Sequence, residues 1–484
     1  MRIFWCSALA AVLAANVQAA DERIDAVQDW IESNVPELMR AARMPGFAIA
    51  VVSDGEIIYS DAFGARDPAK NLPATTDTLF GIGSITKSFV AISILQLAEQ
   101  GKLSIDDPIV KHLPFELGRP NEPILIRHFL SHSPGFPSLA SSTVLLSRGL
   151  GEDTGVPMSS SDDFFRFVNG AKDEIVFSPG EHFFYNNAAW RMLGAIVQNV
   201  SGMPFHEYVT ENVIHPLGMT RSTFDIDQLY ADPDHLTPHR KTADGVEATN
   251  FPYPNPVDNK AFSFLTAAGG ITSSVTEMSL YLNMLIDAGK HSGGELISQR
   301  SMRDMQRLHI REPDGYYGTT GYGFGVGVTP DFLGELLIDH GGSIAVSTAH
   351  MALVPGEKIG VVMMGNSSGM SYAPIGEAVL AILMGEDPDT AVPAFGIVKR
   401  MQQLVGAYSV YRDVETIDVV SEKGMLYLQQ SGGGQTPLIP EDAAYNSLDF
   451  YTLNNGRKSP VNFRVDDDGQ VSLIVGRYVY RKNK

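Results

Sequence analysis

Three short stretches of the chain hold side chains that together can carry out acyl transfer. Ser84-Ile85-Thr86-Lys87 opens an apolar run, with Phe89, Val90, Ile92, Ile94, Leu95 and Leu97, that predicts a buried helix ending at Gly101. A spacing of three places the hydroxyl and the amine on one helix face. The start of a helix adds free N–H groups and a positive dipole end, which suit an attacking oxygen that becomes negative. The pair alone is also compatible with an N-capping serine followed by a solvated lysine.

The second stretch is Tyr185-Asn186-Asn187. A phenol serves as a general base only when its pKa, near 10 in water, is lowered. A neighbouring ammonium such as Lys87 would do this, and a drop of about three units corresponds to ~4 kcal/mol. Asn187 could orient Lys87 and hydrogen-bond a substrate amide. Tyr253-Pro254-Asn255 and Tyr281-Leu282-Asn283 repeat the pattern, so it carries weight only in combination. The third stretch is His340-Gly341-Gly342-Ser343, between two apolar strand segments. Glycines beside a strand let another backbone approach, and the Ser343 N–H could complete an oxyanion hole with that of Ser84. A hairpin turn is the plainer alternative, and His291-Ser292-Gly293 is a loop of the same form.

The elements that must position these residues follow from periodicity. Ile24, Val27, Ile31 and Leu38 predict a helix over 21–43, and the Asp54-Gly55 turn predicts a hairpin over 47–60. Helical signals with Pro and Gly turns dominate 103–256. Strand signals return over 321–328, 335–338, 344–353 and 358–364, and a helix is expected over 374–384. Strands at both ends of the core with helices between predict an α+β architecture, an antiparallel sheet flanked by helices and holding a helical domain. The polar, proline-bearing stretch 386–395 reads as a linker between a domain over 20–385 and a C-terminal antiparallel β module over 396–484.

Composition narrows the chemistry. Of 484 residues, 44% are hydrophobic and 19% charged, and the mean hydropathy of -0.03 fits a folded globular protein. The formal charge of -20 repels phosphate backbones, so nucleic acid is not an expected partner. Arg2, the apolar run 3–15 and Val17-Gln18-Ala19 predict a signal peptide over 1–19, hence a periplasmic or secreted protein without stable membrane insertion after cleavage. The only cysteine is Cys6, so a mature chain would have no thiolate nucleophile and no disulfide. The twelve histidines form no His-Glu-x-x-His or other close pair, and no metal or other cofactor is expected. Gly365-Asn366-Ser367-Ser368-Gly369 matches a nucleophile elbow, but that fold needs a later histidine and the last here is His350. No feature specifies an oligomeric state.

Taken together, Ser84-x-x-Lys87, Tyr185-x-Asn187 and His340-x-Gly342 resemble the family of class C β-lactamases, penicillin-binding D-amino-acid peptidases and β-lactamase-like carboxylesterases. The resemblance runs through most of residues 40–370 and includes Gly101 to Pro108, Ile126 to His132, Pro204 to Met219 and Ala268 to Ser273. It implies a β-lactamase/penicillin-binding-protein-like fold and, for the trailing module, a small lipocalin-like barrel. It also implies Ser84 as nucleophile, Lys87 as activating amine, Tyr185 as base and later acid, and Asn187, His340, Gly341, Gly342 and Ser343 as substrate or oxyanion contacts. His340 stands where true β-lactamases carry the lysine of Lys-Thr-Gly. The expected activity is therefore hydrolysis of an ester or peptide bond in a small-molecule or peptide substrate, more than efficient β-lactam hydrolysis. A β-lactamase, or a catalytically silent receptor for cell-wall peptides, is the alternative. A histidine at 340 would be expected to lose its charge between about pH 6 and 8.

Overall fold

A computed structural model of the protein describes residues 3–119, 121–430, 433–442 and 447–483, with side chains from residue 22 onward, Gln430 apart. The expected leader over 1–19 lies outside the residues described in full. The chain divides into two compact units, Met1–Gly385 and Glu386–Lys484.

The first unit is built on strand β1, Gly46–Ser53, whose Ile, Val and Ala side chains are buried on both faces. Such a strand must be covered on both sides, and its alternation shows by what. Phe47, Ile49 and Val51 pack with Val27, Ile31, Val35 and Met39 of helix α1, Ile3–Ala42. Ala48, Ala50 and Val52 point the other way, into a cluster with Phe89 and Ile92 of helix α2, Thr86–Glu99. The hairpin to β2, Glu56–Asp67, turns at Asp54 and Gly55, whose φ values of 50° and 89° suit this dipeptide.

Seven more strands complete an antiparallel sheet: β3 (Leu72–Pro73), β4 (Ile310–Arg311), β5 (Gly321–Tyr322), β6 (Gly327–Phe332), β7 (Glu335–Ser343), β8 (Thr348–Val354) and β9 (Ile359–Gly365). Their order is β4-β5-β6-β7-β8-β9-β1-β2-β3. The strand expected over 321–328 is thus two strands, and the one expected over 335–338 runs on to Ser343. His340-Gly341-Gly342-Ser343 therefore lies in the sheet, paired with Thr348 to Met351, and is not a hairpin turn.

Helix α3, Asn187–Ser201, packs on α2, and helix α4, Val275–Ile286, covers β1 and β9. Helix α5, Ala373–Leu383, lies with α1 on the opposite face. The helical region has no core of its own: one cluster continues from Ala48 through Phe89 to Trp190 and Phe205. The cause is α2, which is apolar on all sides and so must be enclosed by sheet and helices together.

In the second unit, the stretch expected as a linker contains a helical turn, Pro388–Ala391, followed by helix α6, Pro393–Leu404. Each begins with proline, which fits the first helical position because its missing N–H has no partner to lose. Eight antiparallel strands then form a closed barrel whose first strand, Gly406–Ser409, pairs with its last, Tyr478–Lys482. Leu404, Tyr408, Leu426, Leu438, Phe463 and Leu473 fill it. Among the described residues no helix is long and apolar enough to cross a membrane.

Because each unit owns a closed core, a chain ending at Gly385 is expected to fold. Far-UV dichroism should keep its helix signal and melting should stay cooperative. A non-cooperative melt would show that the first unit depends on the barrel.

Candidate active site

Ser84 stands in a single 3-10 turn, Gly83–Ile85, that leads directly into α2. Gly83 has φ 53°, and a Cβ there would come within 2.6 Å of the Ser343 nitrogen. A Cβ on Gly342 would run into the carbonyl of Ile82 and stand 3.0 Å from the Ser84 nitrogen. The end of β7 and the nucleophile turn therefore touch backbone to backbone, and only glycine permits it at both places. This contact brings the N–H groups of Ser84 and Ser343 onto facing backbones.

One helical turn on, the Lys87 side chain is fully buried. Its Nζ lies 2.8 Å from Ser84 Oγ and donates to the Ala268 carbonyl, also at 2.8 Å. Burial holds the amine well below the ordinary lysine range, and the Arg191 guanidinium adds to the effect. Arg191 is itself buried, and among the described residues its partners are neutral: the Leu265 carbonyl and the hydroxyls of Ser141, Ser142 and Tyr253. The neutral form of the amine beside Ser84 is therefore favoured.

Tyr185 precedes α3, and its ring lies 4.9 Å from Lys87 Nζ. Its phenol is hydrogen-bonded to Ser84, but burial dominates and pushes it above the ordinary tyrosine range. The expected depression by a lysine ammonium is absent, because burial sets the direction of the shift. Asn187 is the first residue of α3, two positions after Tyr185. Among the described hydrogen bonds Lys87 is oriented by Ala268, and the neighbouring Asn186 is buried. Its Oδ1 caps α3 by accepting the Ala189 N–H, and its Nδ2 donates to the carbonyls of Phe136 and Pro137.

His340 is buried between two partners. Its Nδ1 lies 2.6 Å from the Gly341 carbonyl, which can only accept, so the proton sits on Nδ1 and Nε2 accepts the Tyr322 hydroxyl at 2.7 Å. Burial, with the Lys87 amine nearby, pulls its pKa down to about 3. The imidazole is consequently neutral throughout pH 6 to 8, contrary to the expected loss of charge there, and both ring nitrogens are taken.

Two aromatic neighbours escaped the sequence reading of the site. His132 stacks on Tyr185 at 4.1 Å, and its Nδ1 accepts the Asn186 N–H. Tyr322 locks His340. His132 falls in one of the familial stretches, but nothing in the spacing marks its contact, and Tyr322 carries no local signal. Ser367 of the elbow-like turn is wholly buried, and its hydroxyl has no hydrogen-bond partner among the described residues. The neighbouring Asn366 instead ties Gly46 to Ala65 and Arg66. Among the described residues no His, Cys, Asp or Glu cluster could hold a metal ion.

A hydroxyl, a dehydrated amine shifted towards its neutral form, a protonated phenol and two facing backbone N–H groups are the parts of acyl transfer. Comparison with known proteins agrees. Residues 31–383 match the family described as Beta-lactamase, and residues 388–481 match the Pab87 octamerisation domain. The octameric penicillin-binding protein homologue from Pyrococcus abyssi is similar over 94% of this chain and 99% of its own, at 34% identity and a TM-score of 0.84. A beta-lactamase/D-alanine carboxypeptidase from Yersinia pestis shares the fold over 74% of this chain and 97% of its own, at 19% identity and a TM-score of 0.56. Protein flp of Staphylococcus aureus is 31% identical over 201 residues, 41% of this chain and 38% of the relative, so the match spans well under half of that longer protein. The chain belongs to the beta-lactamase family of serine hydrolases.

Gly342→Ala is expected to force β7 off the nucleophile turn and lower kcat by about 10²-fold, the size of one lost oxyanion donor. Ser367→Ala should leave kcat within about twofold and not lower the melting temperature, since its hydroxyl has no partner to lose. Steady-state kinetics and thermal melts of both variants check these outcomes.

Proposed function

We propose that the protein hydrolyses an ester or peptide bond through an acyl-enzyme on Ser84. The observation that carries this reading is the Lys87 amine, fully buried and 2.8 Å from Ser84 Oγ. An amine held uncharged has a free lone pair to take the serine proton as Oγ attacks the carbonyl carbon. The new Oγ–C bond places negative charge on the carbonyl oxygen, which the N–H groups of Ser84 and Ser343 are positioned to receive. Tyr185, hydrogen-bonded to Ser84 and still protonated, hands its proton to the leaving oxygen or nitrogen as that bond breaks, and Lys87 restores it. Water then repeats the sequence on the acyl carbon. The absence of a cation at 340 favours esters and peptides over penicillins, whose carboxylate a lysine would bind.

Two further parts of the proposal concern location and assembly. The leader-like first 19 residues support export to the periplasm or medium. The match of 388–481 to an octamerisation domain, and similarity to an octameric homologue, support assembly through the barrel. The second unit also exposes apolar side chains, with Tyr411 80% and Val414 78% accessible. Light scattering should report a multimer for the full chain and a monomer for one ending at Gly385. A monomeric full chain would end that part of the proposal.

Ser84→Ala and Lys87→Arg should each lower kcat on a nitrophenyl ester by on the order of 10³-fold or more with the fold intact, because arginine cannot give up its charge. Labelling by a fluorophosphonate should vanish in Ser84→Ala. Protonation of Lys87 removes the base, so kcat/KM should fall only as pH drops, with the plateau reached well below the ordinary lysine pKa of 10.5. Activity that rises only above pH 10 would show that Lys87 is not depressed.

A further inference from the structure

Beside the catalytic groups lies a cavity of about 440 Å³, walled on one side by Tyr185, His340 and Gly341. Its lining also carries three carboxylates: Asp339 on β7, Glu377 on α5 and Glu312 in the loop after β4. No lysine or arginine lines it. None of the three carboxylates is in an ion pair with Lys or Arg among the described residues. Among the described residues the one basic side chain within 4.0 Å of the Asp339 carboxylate is His350, at 3.8 Å, and burial pulls that imidazole down to about 4, so it is neutral and no counter-charge. Glu377 accepts the Tyr317 hydroxyl at 3.1 Å. Withdrawal from water, with the fields of Glu377 and Glu312, lifts Asp339 to about 7.

A second feature of the same walls points to the same kind of guest. Tyr316, Tyr317 and Tyr322 join Tyr185 around the space, and Tyr316 stands 58% exposed at its rim. Tyrosine faces attract a cation through their quadrupole, and carboxylates behind such faces add charge. Together they select an ammonium or guanidinium group and repel a carboxylate. The cavity shares Tyr185, the group that gives its proton to the departing atom, so it lies on the leaving-group side of the scissile bond.

We propose that this cavity is a subsite for a positively charged amine or guanidinium group on the leaving portion of the substrate. The inference rests on the Ser84 acyl-enzyme reading and specifies its substrate class. Glu312 and Glu377 meet the charge, a bound cation draws Asp339 back to its carboxylate form, and the tyrosines enclose the group.

The test compares butyrylcholine with 3,3-dimethylbutyl butyrate, which replaces the charged nitrogen by carbon in the same shape, on the full chain. Hydrolysis of nitrophenyl butyrate runs alongside. Native enzyme is expected to favour the choline ester by about tenfold or more in kcat/KM. In Glu312→Gln/Glu377→Gln the ratio should fall towards one. The ratio is internal to each preparation, so partial misfolding of the variant does not change it. A native ratio of one or less, or a ratio that survives the double substitution, overturns the inference while leaving Ser84 chemistry in place. If nitrophenyl butyrate is not cleaved, or is cleaved equally by Ser84→Ala, the acyl-enzyme reading fails and this inference falls with it.

Discussion

The structure turns on one dehydrated amine. An ammonium sealed from water with only neutral partners is costly, whereas the amine is not, so enclosing Lys87 biases it towards the neutral form. The enclosure needs a helix that is apolar on every side, which is why α2 sits between the sheet and the helical region. It also needs a neighbour that accepts a hydrogen bond without bringing negative charge, and the Ala268 carbonyl is one. A carboxylate in that place would draw the proton back. Arg191, buried without a carboxylate, works in the same direction.

Around the amine, the aromatic residues are held by hydrogen bonds that leave little freedom. The Asn186 N–H fixes His132, whose ring supports Tyr185, and the Tyr322 hydroxyl fixes His340. No ring nitrogen of His340 is left over for the substrate, so its contribution is shape and neutrality. The position that resembles a lysine site in relatives here closes a hydrogen-bonded chain. Charge selection moves to the next wall of the cavity, where the carboxylates stand.

Ser84 and Lys87 were legible in the sequence because a local spacing of three fixes their relation without reference to the rest of the chain. Tyr185 and His340 became legible only as members of an ordered set. The charge states were not legible: the phenol moves up because burial outweighs any neighbouring charge, and burial is set by packing from distant segments. His132, Tyr322 and Ala268 act through contacts between segments far apart in the chain. The extent of the strand through His340-Gly341-Gly342-Ser343 was hidden by two glycines, which weaken a strand pattern but allow the close approach the site requires.

The pairing of the central strand has a consequence for when activity can arise. Phe47 of β1 lies against Gly365 of β9, and the turn at Gly83 rests on the end of β7. The nucleophile thus emerges early in synthesis, yet its supporting backbone is among the last parts of the first unit to be made. Contacts of such long sequence separation form slowly and together. A growing polypeptide therefore holds the serine and lysine without the geometry that brings them together with the Ser343 N–H, and the site is assembled only once the sheet has closed.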